Sequence, residues 1–557
     1  MTRKILLLLI VVLAMTLRVY QMNHNPPSLS WDEVSIGYNA YSIVKTGKDE
    51  HGRFLPLDAF VAYGDYKPPF AIYATAPFVA LLGLNELSVR LPSALFGTLT
   101  VLLTYFLVQE LFWVYMKKAK RDKFSLLVCW IPLFAAALLA ISPWHINISR
   151  AGFEANIALF FVVLGTYLVL RAQRNSRYWL IAWVPYVVTI YTFNSSRYFA
   201  PIFALALCIF FWKNIRTHWK PFAIGIIISA VLLVPITPHL LSKEARLRFA
   251  EVNIFTDPSV VTTANERIAR EQNSLIAKIV NNRRVGYARS YFIHFFDNLE
   301  PNFLFVTGDG NPKFSIRDVG QLYMFEAPFL AIGLFAMFLS FPQTAALLLC
   351  WLVAAIIPAA TARETPHALR ILNSLPTWQI FVAFGILCSL EYLKKKYTQK
   401  ISLHNVFIIF LMALYGLGIT YYLHNYYRHY PKEFSSEWQY GYREALANVA
   451  KIQGDYNSIV IGDSIGRPYM YTLFYTKTDP QEFWKTKEDS FDAAGFYHVY
   501  GFGKYRFPSS LPSSLEPRTL YVWDAGTAPK GARILNTIRR LDDSPVLDIF
   551  DKGAGKI

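Results

Sequence analysis

The chain has 557 residues, of which 54% are hydrophobic and 16% aromatic, and it carries a formal charge of +17. That is too apolar for an ordinary soluble domain and too regular in its apolar runs for a disordered chain. The positive charge does not point to nucleic acid: much of it lies in short loops between apolar runs, where the Lys/Arg bias of membrane proteins places it.

The first apolar stretch, residues 4–22, follows Arg3 and Lys4. No small-x-small cleavage site follows it, so it reads as a retained helix with a cytoplasmic N-terminus rather than a cleaved signal peptide. Further stretches run over 91–114, 125–142, 156–170, 178–193, 198–212, 221–238, 323–341, 343–360, 375–391 and 404–423, which makes eleven in all. Several are long enough to cross ~30 Å of hydrocarbon. With eleven spans, the basic loops Lys117 to Lys123, Arg171 to Arg177, Lys213 to Lys220 and Lys394 to Lys400 all face the cytoplasm. Residues 68–84 carry Pro68, Pro69 and Pro77 and would reverse that pattern if they spanned. They read as an interfacial or re-entrant segment on the outer face. Cys129, Cys208, Cys350 and Cys388 lie inside apolar runs without CxxC or metal-ligand spacing, so neither a disulfide framework nor a metal site is expected.

The expected fold is therefore an all-α polytopic membrane bundle over residues 1–423, with outer loops at 23–90 and 239–322. A polar tail, 424–557, combines a helical pattern at Tyr442 to Ile452 with strand-like runs at Ser458 to Ile461, His498 to Tyr500, Thr519 to Trp523 and Val546 to Phe550. It reads as a small extracytoplasmic α/β domain.

The candidate polar residues cluster at outer ends of apolar stretches. Ser30-Trp31-Asp32-Glu33 has the pattern of a capping box, with Gly47 ending the helix. On that reading Glu33 only satisfies a backbone N–H and Asp32 suits the helix dipole. On the functional reading, carboxylates at a membrane boundary are costly unless used, and an aspartate there can take a proton from an attacking hydroxyl. Tyr66-Lys67-Pro68-Pro69 sets a lysine beside a helix start, either as an anion site or as a contact to lipid headgroups. Arg150 and Glu154 are four apart, which fits a helical ion pair, or else a phosphate ligand and a second carboxylate facing Asp32. Arg197, Arg317, Arg363 and Arg370 bring arginine to the outer face, against the usual bias, for anion binding or for pairing with residues such as Glu326 and Glu364. His145 alone makes no metal site; with Tyr66 and His367 it is a candidate for acceptor or sugar contacts. Gly462-Asp463-Ser464 follows a strand and has the form of an esterase nucleophile block, but no downstream Asp-x-x-His accompanies it.

Trp31-Asp32-Glu33, Tyr66-Lys67-Pro68-Pro69-Phe70 and the run Asn85 to Gly97 resemble the C superfamily of integral-membrane glycosyltransferases. The nearest branch holds the protein O-mannosyltransferases and the lipid A aminoarabinose transferases. The resemblance is specific over roughly 28–115, weaker to about 420 and absent in the tail. It implies a bundle of about eleven to thirteen helices and a sugar donor on a polyprenyl phosphate. It also implies Asp32 as base, Lys67 at the donor phosphate and Glu154 as the second acidic residue. Where the aminoarabinose branch has an Arg-Tyr pair, this chain has Ser35-Ile36-Gly37-Tyr38, so the resemblance does not extend to an aminoarabinose donor.

The expected activity is an inverting hexosyl or pentosyl transfer in the plasma membrane, from a polyprenyl-phosphate sugar to an extracytoplasmic protein or lipid acceptor. Asp32, Glu33 and Glu154 are the catalytic candidates; Lys67, Arg150, Arg197 and Arg370 are the phosphate-binding ones. No cofactor is required, a divalent cation at Glu154 is optional, and membrane lipids rather than nucleic acid are the other partners. Two alternatives stand beside it. A lipid-linked saccharide transporter or flippase should show midplane charges and inverted repeats. A scaffold would hold a surface partner through the tail.

Overall fold

The computed structural model describes residues 2–113, 128–242, 245, 253–396, 401–492 and 495–553. The basic loop Lys117 to Lys123 lies outside them, as do parts of the 239–322 loop. The chain divides into two compact units. One comprises Met1–Leu17, Phe96–Ile148 and Glu154–Tyr422; the other comprises Arg18–Leu95, Ser149–Phe153 and Leu423–Ile557.

The first unit is helical. Among the described residues six helices are long and apolar enough to cross a membrane, and seven if the bent pair Ile131–Ile141 and Pro143–Arg150 counts as one span. That pair bends by 55° because Pro143 has no N–H to continue the ladder. Other stretches expected to span are shorter helices, such as Ser196–Phe210 and Met324–Ser340. Residues 178–193 break into a 3-10 turn at Ser176–Leu180 and a short helix at Val184–Ile190. Glu154–Ala172 is enclosed by its neighbours, whereas Trp219–Leu241 and Leu403–Arg428 are largely bare, as suits faces turned to lipid. Helices Ala327–Ser340 and Thr377–Lys396 touch backbone to backbone. A Cβ on Gly333 would lie 1.9 Å from the Phe381 carbonyl oxygen, and one on Gly385 would lie 1.9 Å from that of Phe329. Small residues at such a contact replace the hydrophobic drive that lipid cannot supply.

The second unit joins the first outer loop to the tail rather than leaving that loop with the helices. Helix Trp31–Thr46 leads to a hairpin of strands β1 (Phe60–Ala62) and β2 (Asp65–Lys67), then to helix Phe70–Leu82. That last helix has 13 residues. At 1.5 Å per residue it extends ~20 Å, short of the ~30 Å hydrocarbon layer. The tail adds a seven-stranded mixed sheet. Its strands are β3 (Ser458–Ile461), β4 (Glu488–Phe491), β5 (Tyr497–Phe502), β6 (Tyr505–Arg506), β7 (Thr519–Asp524), β8 (Arg533–Arg539) and β9 (Pro545–Asp551). They lie in the order β4-β5-β6-β3-β7-β9-β8, with β3 parallel to both β6 and β7. One core binds the two parts. Leu29, Val34, Tyr38 and Val89 from the loop are buried with Leu446, Tyr471, Phe474 and Ile549 from the tail. They pack tightly at Gly37, since a Cβ there would lie 2.6 Å from the Phe474 ring.

Candidate active site

Helix Trp31–Thr46 begins as its sequence dictates. The Ser30 hydroxyl accepts from the Glu33 N–H at 3.4 Å, and Glu33 Oε2 accepts from the Ser30 N–H at 2.9 Å. Gly47, at φ 69°, closes the helix in the left-handed conformation that glycine tolerates. Glu33 does more than cap. Its side chain is fully buried, and its Oε1 accepts from Arg90 Nε at 2.8 Å and from the Gly152 N–H at 2.9 Å. Arg90, also fully buried, donates further to the carbonyls of Met22 and Pro26, each at 2.9 Å, and to that of Ser28. Glu33 is thus an anchor in this structure: both of its oxygens accept from protein donors and its side chain is closed to solvent.

Asp32 turns the other way. Its Oδ1 lies 2.7 Å from Lys67 Nζ; the aspartate side chain is 38% exposed and the lysine side chain 6%. The β1–β2 hairpin brings Lys67 there, pairing it with Phe60, and sets the half-buried Tyr66 opposite Val61. At the hairpin's turn, Tyr63 donates its hydroxyl to the Trp31 carbonyl at 2.9 Å. The hairpin is thus tied to the helix one residue from Asp32.

Arg150 is fully buried. Its Nη2 donates to the carbonyls of Tyr20 at 2.7 Å and Asn25 at 2.8 Å, its Nε donates to the Tyr426 hydroxyl at 3.0 Å, and its guanidinium lies over the rings of Tyr426 and Tyr427. Its Nε and Nη2 donors are thus engaged by protein groups within this unit. Arg150 and Glu154 do not share a helix turn, since one helix ends at Arg150 and the next begins at Glu154.

The remaining candidates belong to the helical unit. Glu154 is half-buried at the first position of helix Glu154–Ala172, and His145 is fully buried within Pro143–Arg150. Arg197 Nη2 lies 3.1 Å from His239 Nε2, and Arg370 donates to the Glu364 carbonyl at 3.1 Å. His367 is buried against the Phe314 ring, with Nδ1 3.9 Å from Asp309 Oδ2. Burial, then the charge of Arg370, holds the His367 imidazole well below its ordinary range. Burial also pushes the Asp309 carboxyl up to about 6, although it accepts the N–H groups of Asn311 and Ala368. Among the described residues, no cluster of three or more His, Cys, Asp or Glu side chains could hold a metal ion.

The family described as dolichyl-phosphate-mannose-protein mannosyltransferase matches residues 8–245, a stretch containing Asp32, Lys67, Arg150, Glu154 and Arg197. ArnT from Cupriavidus metallidurans, solved bound to undecaprenyl phosphate, superposes with a TM-score of 0.53 at 13% identity, over 98% of this chain and 98% of that one. The apo structure of the same protein gives 0.52 at 13%, over 99% and 98%. The family match covers less than half of the chain, so these comparisons show what the chain is similar to and which fold it shares. At such identity the likeness to solved structures is one of fold, and it runs the length of the chain, tail included. No individual curated protein sequence matches. Arg90 is the residue that sequence reasoning passed over. It sits one position before an apolar stretch and looks like an ordinary boundary arginine. The signal that points to it is Glu33, a carboxylate buried at a helix start, which demands a cation.

Proposed function

We propose that the protein transfers a sugar from a polyprenyl-phosphate donor to an acceptor hydroxyl or amine, with inversion, at the outer face of the membrane. The observation that carries this reading is the pairing of an exposed Asp32 with an enclosed Lys67 at 2.7 Å. An enclosed ammonium whose anionic partner reaches solvent can exchange that partner for another anion. When a donor phosphate takes Lys67, the Asp32 carboxylate is released beside the reacting centre.

The acceptor O–H or N–H gives its proton to Asp32 as its heavy atom bonds to the anomeric carbon. The bond from that carbon to the phosphate oxygen breaks, and polyprenyl phosphate departs carrying the electron pair. Lys67 stabilises the leaving anion near a low-dielectric medium, where a fixed charge is most effective. Arg197 and Arg370, each half-buried in the helical unit, remain arginine candidates for phosphate binding. Glu154 orients the acceptor, and the reaction as written needs no metal. Tyr66 lies on the strand that carries Lys67 and is a candidate for sugar contact; His145 and His367, both buried in the helical unit, are the acceptor candidates. The family match over residues 8–245 supports the donor class. So does the undecaprenyl phosphate named with the ArnT structure.

Native mass spectrometry of the gently purified protein tests the donor site. A co-purified polyprenyl phosphate or its glycosylated form, lost in Lys67→Ala, is the expected result, and its mass identifies the sugar. Bulk phospholipid alone, unchanged by Lys67→Ala, would overturn the assignment.

A further inference from the structure

The Gly462-Asp463-Ser464 block, which as an esterase nucleophile lacks its Asp-x-x-His, lies in the same unit as Asp32 and Lys67. The loop it opens is held firmly. Gly462 donates its N–H to the Val522 carbonyl at 2.9 Å, and Asp463 Oδ1 accepts the Arg467 N–H at 2.9 Å. Gly466 and Arg467 both adopt positive φ, 88° and 60°. A non-glycine residue in that region costs free energy and persists where its surroundings impose it.

The loop is directed at the acidic helix start. Backbone at Gly466 lies against the Trp31 indole, for a Cβ there would sit 3.8 Å from the ring. The Arg467 guanidinium lies over the Tyr63 ring, 4.8 Å from its centroid, and Tyr63 is hydrogen-bonded to Trp31. The buried Tyr63 phenol is within electrostatic reach of both Asp32 and Arg467. Trp31 nevertheless leaves 38% of its surface exposed, and Asp463 and Ser464, at the start of the same loop, are exposed too. Trp31, the residue before Asp32, and this loop therefore offer an exposed indole, a carboxylate, a hydroxyl and a guanidinium. A pyranose matches that set, with a flat C–H face to stack on an aromatic ring and an edge of hydroxyls that both donate and accept.

We propose that Trp31 and the tail loop Asp463–Arg467 form a binding wall for a pyranose ring at the active site. This assigns the tail a direct part in sugar recognition, and it rests on the glycosyl-transfer reading above. The ring has two sources, the donor's sugar or a saccharide acceptor.

The full-length protein in detergent is tested with two probes. Saturation-transfer NMR uses the methyl glycosides of mannose, glucose, galactose, N-acetylglucosamine and arabinose. Native mass spectrometry titrates mannosyl phosphopolyprenol against bare undecaprenyl phosphate. The variants are Trp31→Ala and Arg467→Asn, the second chosen because asparagine tolerates the left-handed backbone; it carries the test if Trp31→Ala does not fold. At least one glycoside should bind the wild type and bind both variants about tenfold more weakly, the loss expected for an indole face or a charged hydrogen bond. If the ring is the donor's, the variants also lose about tenfold for the mannosyl lipid and nothing for the bare phosphate. If it is the acceptor's, both lipids bind as to wild type while glycoside binding falls. The proposal is overturned if no glycoside binds the wild type and the two lipids bind alike, or if Arg467→Asn changes neither probe. Failure of the wild type to bind either lipid would sink the polyprenyl-donor reading and leave the glycoside arm readable.

Discussion

Asp32→Asn should do two opposite things: stop turnover and tighten binding of the bare polyprenyl phosphate. The second follows from competition. In the resting protein the Lys67 ammonium is held by Asp32 at 2.7 Å, so an arriving phosphate must displace that carboxylate and settle beside its charge. A fully exposed ion pair contributes ~0–1 kcal/mol, and a hydrogen bond to a charged group roughly 1.5–3 kcal/mol. With Lys67 enclosed and Asp32 38% exposed, this pair falls between, at about 1–2 kcal/mol. Removing the charge should improve the Kd for undecaprenyl phosphate by about 5- to 30-fold. The lower end is expected, because the asparagine oxygen still accepts from the ammonium. Titration by native mass spectrometry or calorimetry in detergent reads the Kd; transfer from a glycosylated donor reads the turnover. Lys67→Ala provides the control, since without the ammonium there is no competition to relieve and Asp32→Asn should then leave the Kd unchanged. Binding that is equal or weaker in Asp32→Asn, or tightening that persists in Lys67→Ala, would refute the exchange mechanism.

Three other outcomes follow from the packing. Glu33→Ala should cost about 3–5 kcal/mol, the usual penalty for stranding one member of a buried ion pair, and a thermal or SDS-unfolding titration should find the variant unstable rather than folded and inactive. A fully folded, inactive Glu33→Ala would restore Glu33 to the chemistry. Arg150→Lys should lower the melting temperature while leaving undecaprenyl phosphate affinity within about twofold, because a lysine cannot reproduce the fork that reaches Tyr20, Asn25 and Tyr426; a large loss of affinity without a loss of stability would return Arg150 to the donor site. Asp309 carries a pH signature. Its carboxyl, pushed up from 3.8 to about 6, keeps its proton in the folded state over a window where the unfolded chain has already released it. Stability should therefore fall as pH rises from about 4 to about 6, by roughly 3 kcal/mol, then level off. Melting curves of Asp309→Asn across that window should lack the slope, and an equal slope in both proteins would contradict the burial argument.

What could be read from the sequence was what depends on neighbours along the chain. The capping box at Ser30 and Glu33, the helix Tyr442–Ile452 and the strand Ser458–Ile461 rest on local propensity and periodicity, and they appear where those signals lie. What depends on distant pairing was hidden. Nothing in Tyr66-Lys67 shows that a two-residue turn at Tyr63 and Gly64 folds Lys67 back onto the helix start. Nor does the tail's composition show that Phe474 fills the gap left by Gly37, or that Arg467 stacks on Tyr63. The span count suffers similarly. An apolar run of the right length reads as one span, yet residues 178–193 bend into a 3-10 turn and a short helix, and the helix ending at Ile141 is followed from Pro143 by another bent from it by 55°.

The division of labour between Asp32 and Glu33 shows how two like residues in sequence become unlike in function. Successive residues on a helix point about 100° apart, so adjacent carboxylates at a helix start cannot share a face. Glu33, at the third position, is the one whose reach closes the capping box, and the same direction carries it inward to Arg90. Asp32 is thereby turned outward, toward Lys67 and solvent. The buried pair needs its charge-matched partner to exist at all, so Glu33 fixes the helix start through Ser30, Gly152 and Arg90 before any substrate arrives. The base role proposed for Asp32 needs such an anchor. Its own side chain must remain free to change partners, so its position has to be set by the backbone beneath it, and the adjacent glutamate sets that backbone.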